Sequence, residues 1–189
     1  MKNALILHGT EGSPDENWFQ WLGNKLEEDG YNVWIPQLPD SNFPDLEKYN
    51  RFLLSNKDWK FNEDSILIGH SSGSVAVMAL LEELPEKVVV RESYLVSAFY
   101  NNDYGWSANN DLFKKPFDYP LIRKKSEKFV FIHSDNDPYC PLSHAQYLSE
   151  KLDGELIIKK GQKHFSVGSY GEKYREFPFL LEMILGEER

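Results

Sequence analysis

Residues 65–84, SILIGHSSGSVAVMALLEEL, constrain the fold more than any other stretch of the chain. Ser65–Ile68 is a short, solidly apolar, β-rich run, as expected of a strand covered on both faces. Ser74–Leu84 has the length and composition of a helix that begins with small residues. Between them, Gly69-His70-Ser71-Ser72-Gly73 has the spacing Gly-x-Ser-x-Gly. That spacing alone arises by chance in about 5–10% of chains this long, taking Gly and Ser near 7% each. Strand, tight turn and helix in immediate succession give it meaning, because such a turn forces backbones close together and strains the serine's φ/ψ. It also projects the hydroxyl above the sheet, beside a helix N-terminus. Ser71 rather than Ser72 is the candidate nucleophile, since only Ser71 has glycines two residues away on both sides.

The same alternation of strand and helix runs through the whole chain. Ala4–Leu7, Asn32–Ile35, Ser65–Ile68, Glu92–Val96, Phe129–Ile132 and Leu156–Lys159 read as strands. SPDENWFQWLGNKLEEDG reads as a helix capped by Ser13, with Pro14 at its first position, Glu16 closing a capping box and Gly30 as its stop. FPDLEKYNRFLLSN, SVAVMALLEEL, LSHAQYLSEKLDG and EKYREFPFLLEMILGEER supply further helices, the last broken near Pro178. An α/β fold with a mostly parallel sheet follows. No repeat or linker divides residues 1–189, which read as one domain; Phe99–Lys128, of weak periodicity, is a possible small cap over the ligand crevice.

The net charge of −9 argues against nucleic acid or an anionic membrane surface as partner. No apolar run reaches the roughly 20 residues of a membrane span, and the brief one in MKNALILHG reads as a first strand rather than a signal peptide, so a cytoplasmic location is expected. The single Cys140 excludes an internal disulfide and a cysteine-rich zinc cluster, and a half-buried packing role is expected of it.

A serine nucleophile needs a base and an acid that orients it, here in the chain order Ser, Asp or Glu, His. His8 and His70 precede Ser71, His133 precedes the acid candidates, and His144 falls on a helix position expected near the surface. His164, in a Gly-bearing loop after the last strand, is left as the base. Asp135 and Asp137 both follow the preceding strand; Asp137 is favoured because Pro138 and Pro141 stiffen its loop, with Asp135 as a neighbour or turn cap. His133, Asp135 and Asp137 resemble a metal cluster, but no matching ligand group accompanies them, so neither a metal nor another cofactor is expected. The backbone N–H groups of Ser72 and of Thr10, which follows His8-Gly9, are the expected oxyanion donors.

ALILHGTEGSPDENWFQWLGNKLEEDGY, IPQLPDSNFPDLEKYNRFL, ILIGHSSGSVAVMALLEE, SDNDPYCP and GQKHF occur in the order and spacing of a compact α/β-hydrolase family. The chain resembles the YdeN-type, retinoblastoma-binding-protein-nine-like serine hydrolases over nearly its whole length. The HG…W…WL and P-D-L-E stretches distinguish that group from α/β-hydrolases in general. The resemblance implies Ser71, Asp137 and His164 as the triad, and a trimmed six-stranded sheet without the two leading antiparallel strands of larger hydrolases. The chain departs from the pattern at Glu11, which puts a carboxylate beside the oxyanion loop. It also lacks the Leu-x-Cys-x-Glu motif for retinoblastoma-type pockets, so that partnership is not carried over.

The expected activity is hydrolysis of a small or medium acyl ester, with Trp18, Tyr100, Trp106 and Phe165 as candidates for an apolar rim. The same triad also serves an amidase, a peptidase or a thioesterase. A binding protein that merely retains the triad is the alternative outside enzymes.

Overall fold

The computed structural model describes residues 1–102 and 111–186. Its six strands are β1 Asn3–Leu7, β2 Asn32–Trp34, β3 Ser65–His70, β4 Val90–Val96, β5 Ser126–Ser134 and β6 Glu155–Lys159. They form one sheet in the order β2-β1-β3-β4-β5-β6, and every neighbouring pair is parallel. Each expected strand is present, and β5 starts earlier than the apolar run at Phe129.

The solid apolar runs are explained by what lies on either side of the sheet. Leu5, Leu7, Leu67, Leu95, Phe129 and Phe131 face one buried cluster; Ala4, Ile6, Ile66, Ile68, Val96, Val130 and Ile132 face the other. Helices α2 (Leu46–Ser55), α3 (Ser72–Glu83), α4 (Tyr119–Arg123) and α5 (Leu142–Leu152) add Tyr49, Leu53, Val75, Leu80, Ile122, Leu148 and Leu152 to the first cluster. Helices α1 (Phe19–Glu28) and α7 (Pro178–Leu185) cover the second with Phe19, Leu22, Leu26, Leu180 and Ile184. The short α6 (Val167–Tyr170) and a 3-10 turn at Glu172–Arg175 lie between β6 and α7. The final helical stretch is interrupted before Pro178, as its sequence predicts.

The first helix starts later than its capping pattern predicts. Ser13 accepts from the Glu16 N–H through its backbone carbonyl, closing a turn, and Asn17 then adopts a left-handed φ of 51° that helical geometry does not permit. Helix α1 therefore begins at Phe19. It ends as expected: Gly30, at φ 85°, donates to Glu27 and Tyr31 donates to Leu26, the paired bonds of a Schellman motif. In the Phe99–Lys128 stretch, Leu112 and Ile122 are buried in the cluster shared with α3 and α5, and Phe113, Phe117 and Tyr119 pack against it. Residues 103–110, including Trp106, lie outside the described residues.

The chain runs from β1 out to β2 and then returns to the other side of β1 to begin β3. Helix α1 leaves on one face and α3 on the other, so the loops after β1 and β3 diverge and open a crevice at the sheet's carboxyl edge. That geometry demands glycine at residue 73, where a Cβ would run into the Leu7 carbonyl oxygen and lie 2.7 Å from the oxygen of His8. Gly69 is similarly confined, since a Cβ there would lie 2.5 Å from the Gly73 oxygen. Gly73→Ala is expected to lower the unfolding free energy by about 2 kcal/mol or more, as overpacking against fixed backbone does. Gly168→Ala, whose Cβ would meet nothing within 4 Å, should stay within about 0.5 kcal/mol of the parent; urea titration of both variants checks the contrast.

Candidate active site

Four loops meet at the carboxyl edge of the sheet. Ser71, the residue between β3 and α3, has φ 56° and ψ −125°, a strained conformation for a residue with a side chain. Its N–H donates to the Val96 carbonyl at 2.9 Å, and its carbonyl accepts from Ser74 at 2.9 Å, so both sides of the turn are fixed. The loop after β1 packs directly on it: a Cβ on Gly9 would lie 3.0 Å from the Ser71 Cβ. The Thr10 hydroxyl donates to the Ser72 Oγ at 2.9 Å, which ties that loop to the start of α3.

Asp137 and His164 form a second assembly. The His164 Nδ1–H donates to Asp137, with its nitrogen 2.8 Å from Oδ2 and 3.0 Å from Oδ1, which leaves Nε2 as the basic nitrogen of the ring. The carboxylate also accepts from the Ser97 hydroxyl at 2.7 Å and from the N–H groups of Tyr139 and Cys140 at 2.9 and 3.0 Å. Burial by itself would raise the Asp137 pKa. The His164 hydrogen bond and charge, with Ser97 and Tyr139, outweigh it and hold the carboxyl below its ordinary value.

Asp135 plays a different part. It belongs to a clamp in which Asp135 Oδ1, Ser134 Oγ and Asn136 Oδ1 accept from the N–H groups of Gly161, Gln162 and Lys163 at 2.8, 2.9 and 2.8 Å. That clamp holds the loop carrying His164 against the loop carrying Asp137.

His8, His70 and His133, passed over as bases, have a common task that residue-by-residue elimination missed. Each is buried and lies within one residue of a strand's carboxyl end. His8 donates through Nδ1 to the Gly9 carbonyl at 2.9 Å and accepts the Leu38 N–H at Nε2 at 3.0 Å. His70 donates through Nε2 to the His164 carbonyl at 2.8 Å, and His133 donates to the Cys140 carbonyl at 2.8 Å. The signal is present in the sequence as a histidine closing each of three apolar runs, LILH, ILIGH and VFIH.

Ser71, His164, Gly9 and Thr10 line one cavity of about 210 Å³, together with Gly12, Glu16, Asn17, Phe19, His70, Tyr139, Ser166 and Gly168. The expected aromatic rim is not where the sequence reading put it. Trp18 and Phe165 are fully buried, joined by a 3.0 Å hydrogen bond from the indole N–H to the Phe165 carbonyl, and they support the His164 loop from below. Tyr100 lies against the rings of His144 and Tyr147 and does not line the cavity, and Trp106 lies outside the described residues. Tyr139, edge-on to the His164 ring at 4.9 Å, is the aromatic residue at the mouth that the sequence reading missed.

His144 is also a correction: it is 5% exposed rather than at the surface, because Tyr100 covers it and the Tyr100 N–H reaches its Nδ1 at 3.4 Å. Cys140 is more buried than expected, and burial pushes its thiol pKa well up.

Burial lowers the proton affinity of His8, His70 and His133, that of His70 to about 3. Below about pH 6.5 the unfolded chain binds protons that these folded imidazoles refuse, so stability is lost as the pH falls. Unfolding free energies measured from pH 7 to 4.5 should decline below pH 6.5, by up to about 1.4 kcal/mol per pH unit for each histidine. A flat profile over that range would contradict neutral burial.

With that geometry established, the comparisons with known proteins are consistent. YdeN of Bacillus subtilis (strain 168) is 27% identical over 164 residues, covering 87% of this chain and 86% of its own length. The serine hydrolase RBBP9 of Rattus norvegicus is 26% identical over 188 residues, covering 96% of this chain and 97% of its own. The crystal structure of the B. subtilis ydeN gene product matches with a TM-score of 0.90 at 25% identity, with 98% of both chains covered. The family model described as Serine hydrolase matches residues 4–182. The chain belongs to the serine hydrolase family and carries its α/β-hydrolase fold.

Proposed function

We propose that the protein hydrolyses esters of small acyl groups through a covalent acyl-enzyme on Ser71. The observation that carries this reading is the Asp137–His164 pair, bonded at 2.8 Å, lining the same cavity as a serine held in a strained turn. His164 Nε2 takes the hydroxyl proton as Ser71 Oγ attacks the ester carbonyl, and Asp137 stabilises the imidazolium that forms. The N–H groups of Thr10 and Ser72 receive the oxyanion, and the hydroxyl bond from Thr10 to Ser72 supports that pairing. When the C–O bond breaks, His164 returns the proton to the departing alcohol. Water, deprotonated by the same ring, then releases the acid and regenerates Ser71. The cavity volume of about 210 Å³ favours short acyl groups.

Ser71→Ala should abolish both turnover of p-nitrophenyl acetate and labelling by a fluorophosphonate probe. Asp137→Asn should cost about 10²- to 10⁴-fold in kcat, because the ring loses the partner that fixes its tautomer. Asp135→Asn keeps an acceptor for the Gly161 N–H and should fall within about threefold of the parent. Equal losses in the two Asn variants would refute Asp137 as the acid.

A further inference from the structure

We infer that the cavity selects esters bearing a cationic group, with the Glu16 carboxylate as its receptor. This rests on the reading of Ser71 as nucleophile and adds the substrate's charge to it. Among the described residues lining the cavity, Glu16 is the one acidic side chain, and neither lysine nor arginine is present. No ion pair or side-chain hydrogen bond to the Glu16 carboxylate occurs among the described residues. The lysines of the neighbouring loops are directed elsewhere: Lys163 and Lys173 place their ammonium groups over the Tyr170 ring, and Lys173 donates to Gln162 Oε1.

The backbone that carries Glu16 is tied to the loop of His164. The next residue, Asn17, holds a left-handed φ of 51° and accepts the Val167 N–H on its Oδ1 at 2.8 Å. The residue after that, Trp18, donates to the Phe165 carbonyl. These two bonds fasten the Glu16 turn to the loop on either side of Ser166, immediately beyond His164. These contacts hold the backbone of Glu16 beside the cavity, while its side chain stays exposed and free to meet a ligand. Glu16 also acts on the neighbouring His8: burial is the main influence there and lowers its proton affinity, while the Glu16 charge acts in the opposite sense.

The selection follows from charge balance in the transition state. An oxyanion forming in this cavity is repelled by a nearby carboxylate, which penalises neutral substrates and anionic ones still more. An ammonium group on the substrate neutralises that carboxylate and removes the penalty, so attraction and exclusion act together. At a separation near 5 Å in a solvent-open site, a single charge pair amounts to a preference of about three- to tenfold.

The test compares acetylthiocholine with its uncharged isostere, 3,3-dimethylbutyl thioacetate, by thiol release, with p-nitrophenyl acetate and the Ser71→Ala blank run alongside. The expected ratio of kcat/KM, charged over neutral, is about three to ten at low salt, falling toward one in 0.5 M NaCl and in Glu16→Gln. The salt dependence is read on the parent protein and so does not rely on the variant folding. Turnover of p-nitrophenyl acetate with a thioester ratio near one, or a ratio that Glu16→Gln leaves intact, overturns this inference alone. Absence of Ser71-dependent turnover of all three esters overturns the hydrolase reading and this inference with it.

Discussion

Loops leaving the carboxyl edge of a parallel sheet no longer have ladder partners, yet a reacting group on such a loop must be held to within a fraction of an ångström. In this protein the missing partners are neutral imidazoles placed inside the fold. His8 fixes the Gly9 carbonyl, His133 fixes the Cys140 carbonyl three residues beyond Asp137, and His70 fixes the carbonyl of His164 itself. A neutral imidazole suits the task because it offers a directional N–H from a flat, largely apolar ring. It packs among Trp18 and Phe19, as His70 does, without the cost of burying a charge. The same choice makes the assembly acid-sensitive, since protonating any of these rings places a cation in the core.

The strain in the backbone lies where these supports are. Of the eight non-glycine residues with left-handed φ among the described residues, Glu11, Asn17, Ser71, Ser97, Lys163 and Phe165 belong to loops around the cavity. Ser71 and Ser97 are a matched pair at the ends of neighbouring strands: one donates its N–H to Val96 and the other to Ile132. The first presents the proposed nucleophile, and the second turns a hydroxyl onto Asp137. Such conformations persist only where surrounding contacts over-determine them, and the clamp between residues 134–136 and 161–163 supplies those contacts on the His164 side.

The sheet and its six strands, the Ser71 turn and the pairing of Asp137 with His164 were legible in the sequence because each depends on a local or order-based signal. These signals are solid apolar runs, glycines flanking a serine, prolines bracing an aspartate, and a histidine placed after the last strand. What failed were statements about which side of a ring faces solvent. Trp18 and Phe165 have the composition of a substrate rim, but α1 and the His164 loop close on each other and bury both. His144 occupies a helical position that periodicity assigns to the surface, and Tyr100, distant in sequence, covers it. The capping box at Ser13 was misleading because the left-handed Asn17 stops a helix from forming there.

The sequence by itself determined the architecture, the turn that carries the candidate serine and the order in which the candidate acid and base follow, since hydrophobic periodicity and turn chemistry are properties of neighbouring residues. Only the tertiary structure decided that His8, His70 and His133 act as backbone supports and that Ser97 completes the shell around Asp137. It alone also decided that Glu16 lines the cavity. Several of these contacts join distant residues at one edge of the sheet: His8 meets Leu38 30 positions away, Ser97 meets Asp137 40 away, and His70 meets His164 94 away. Local sequence does not encode that meeting; the packing of helices on both faces of a parallel sheet creates it.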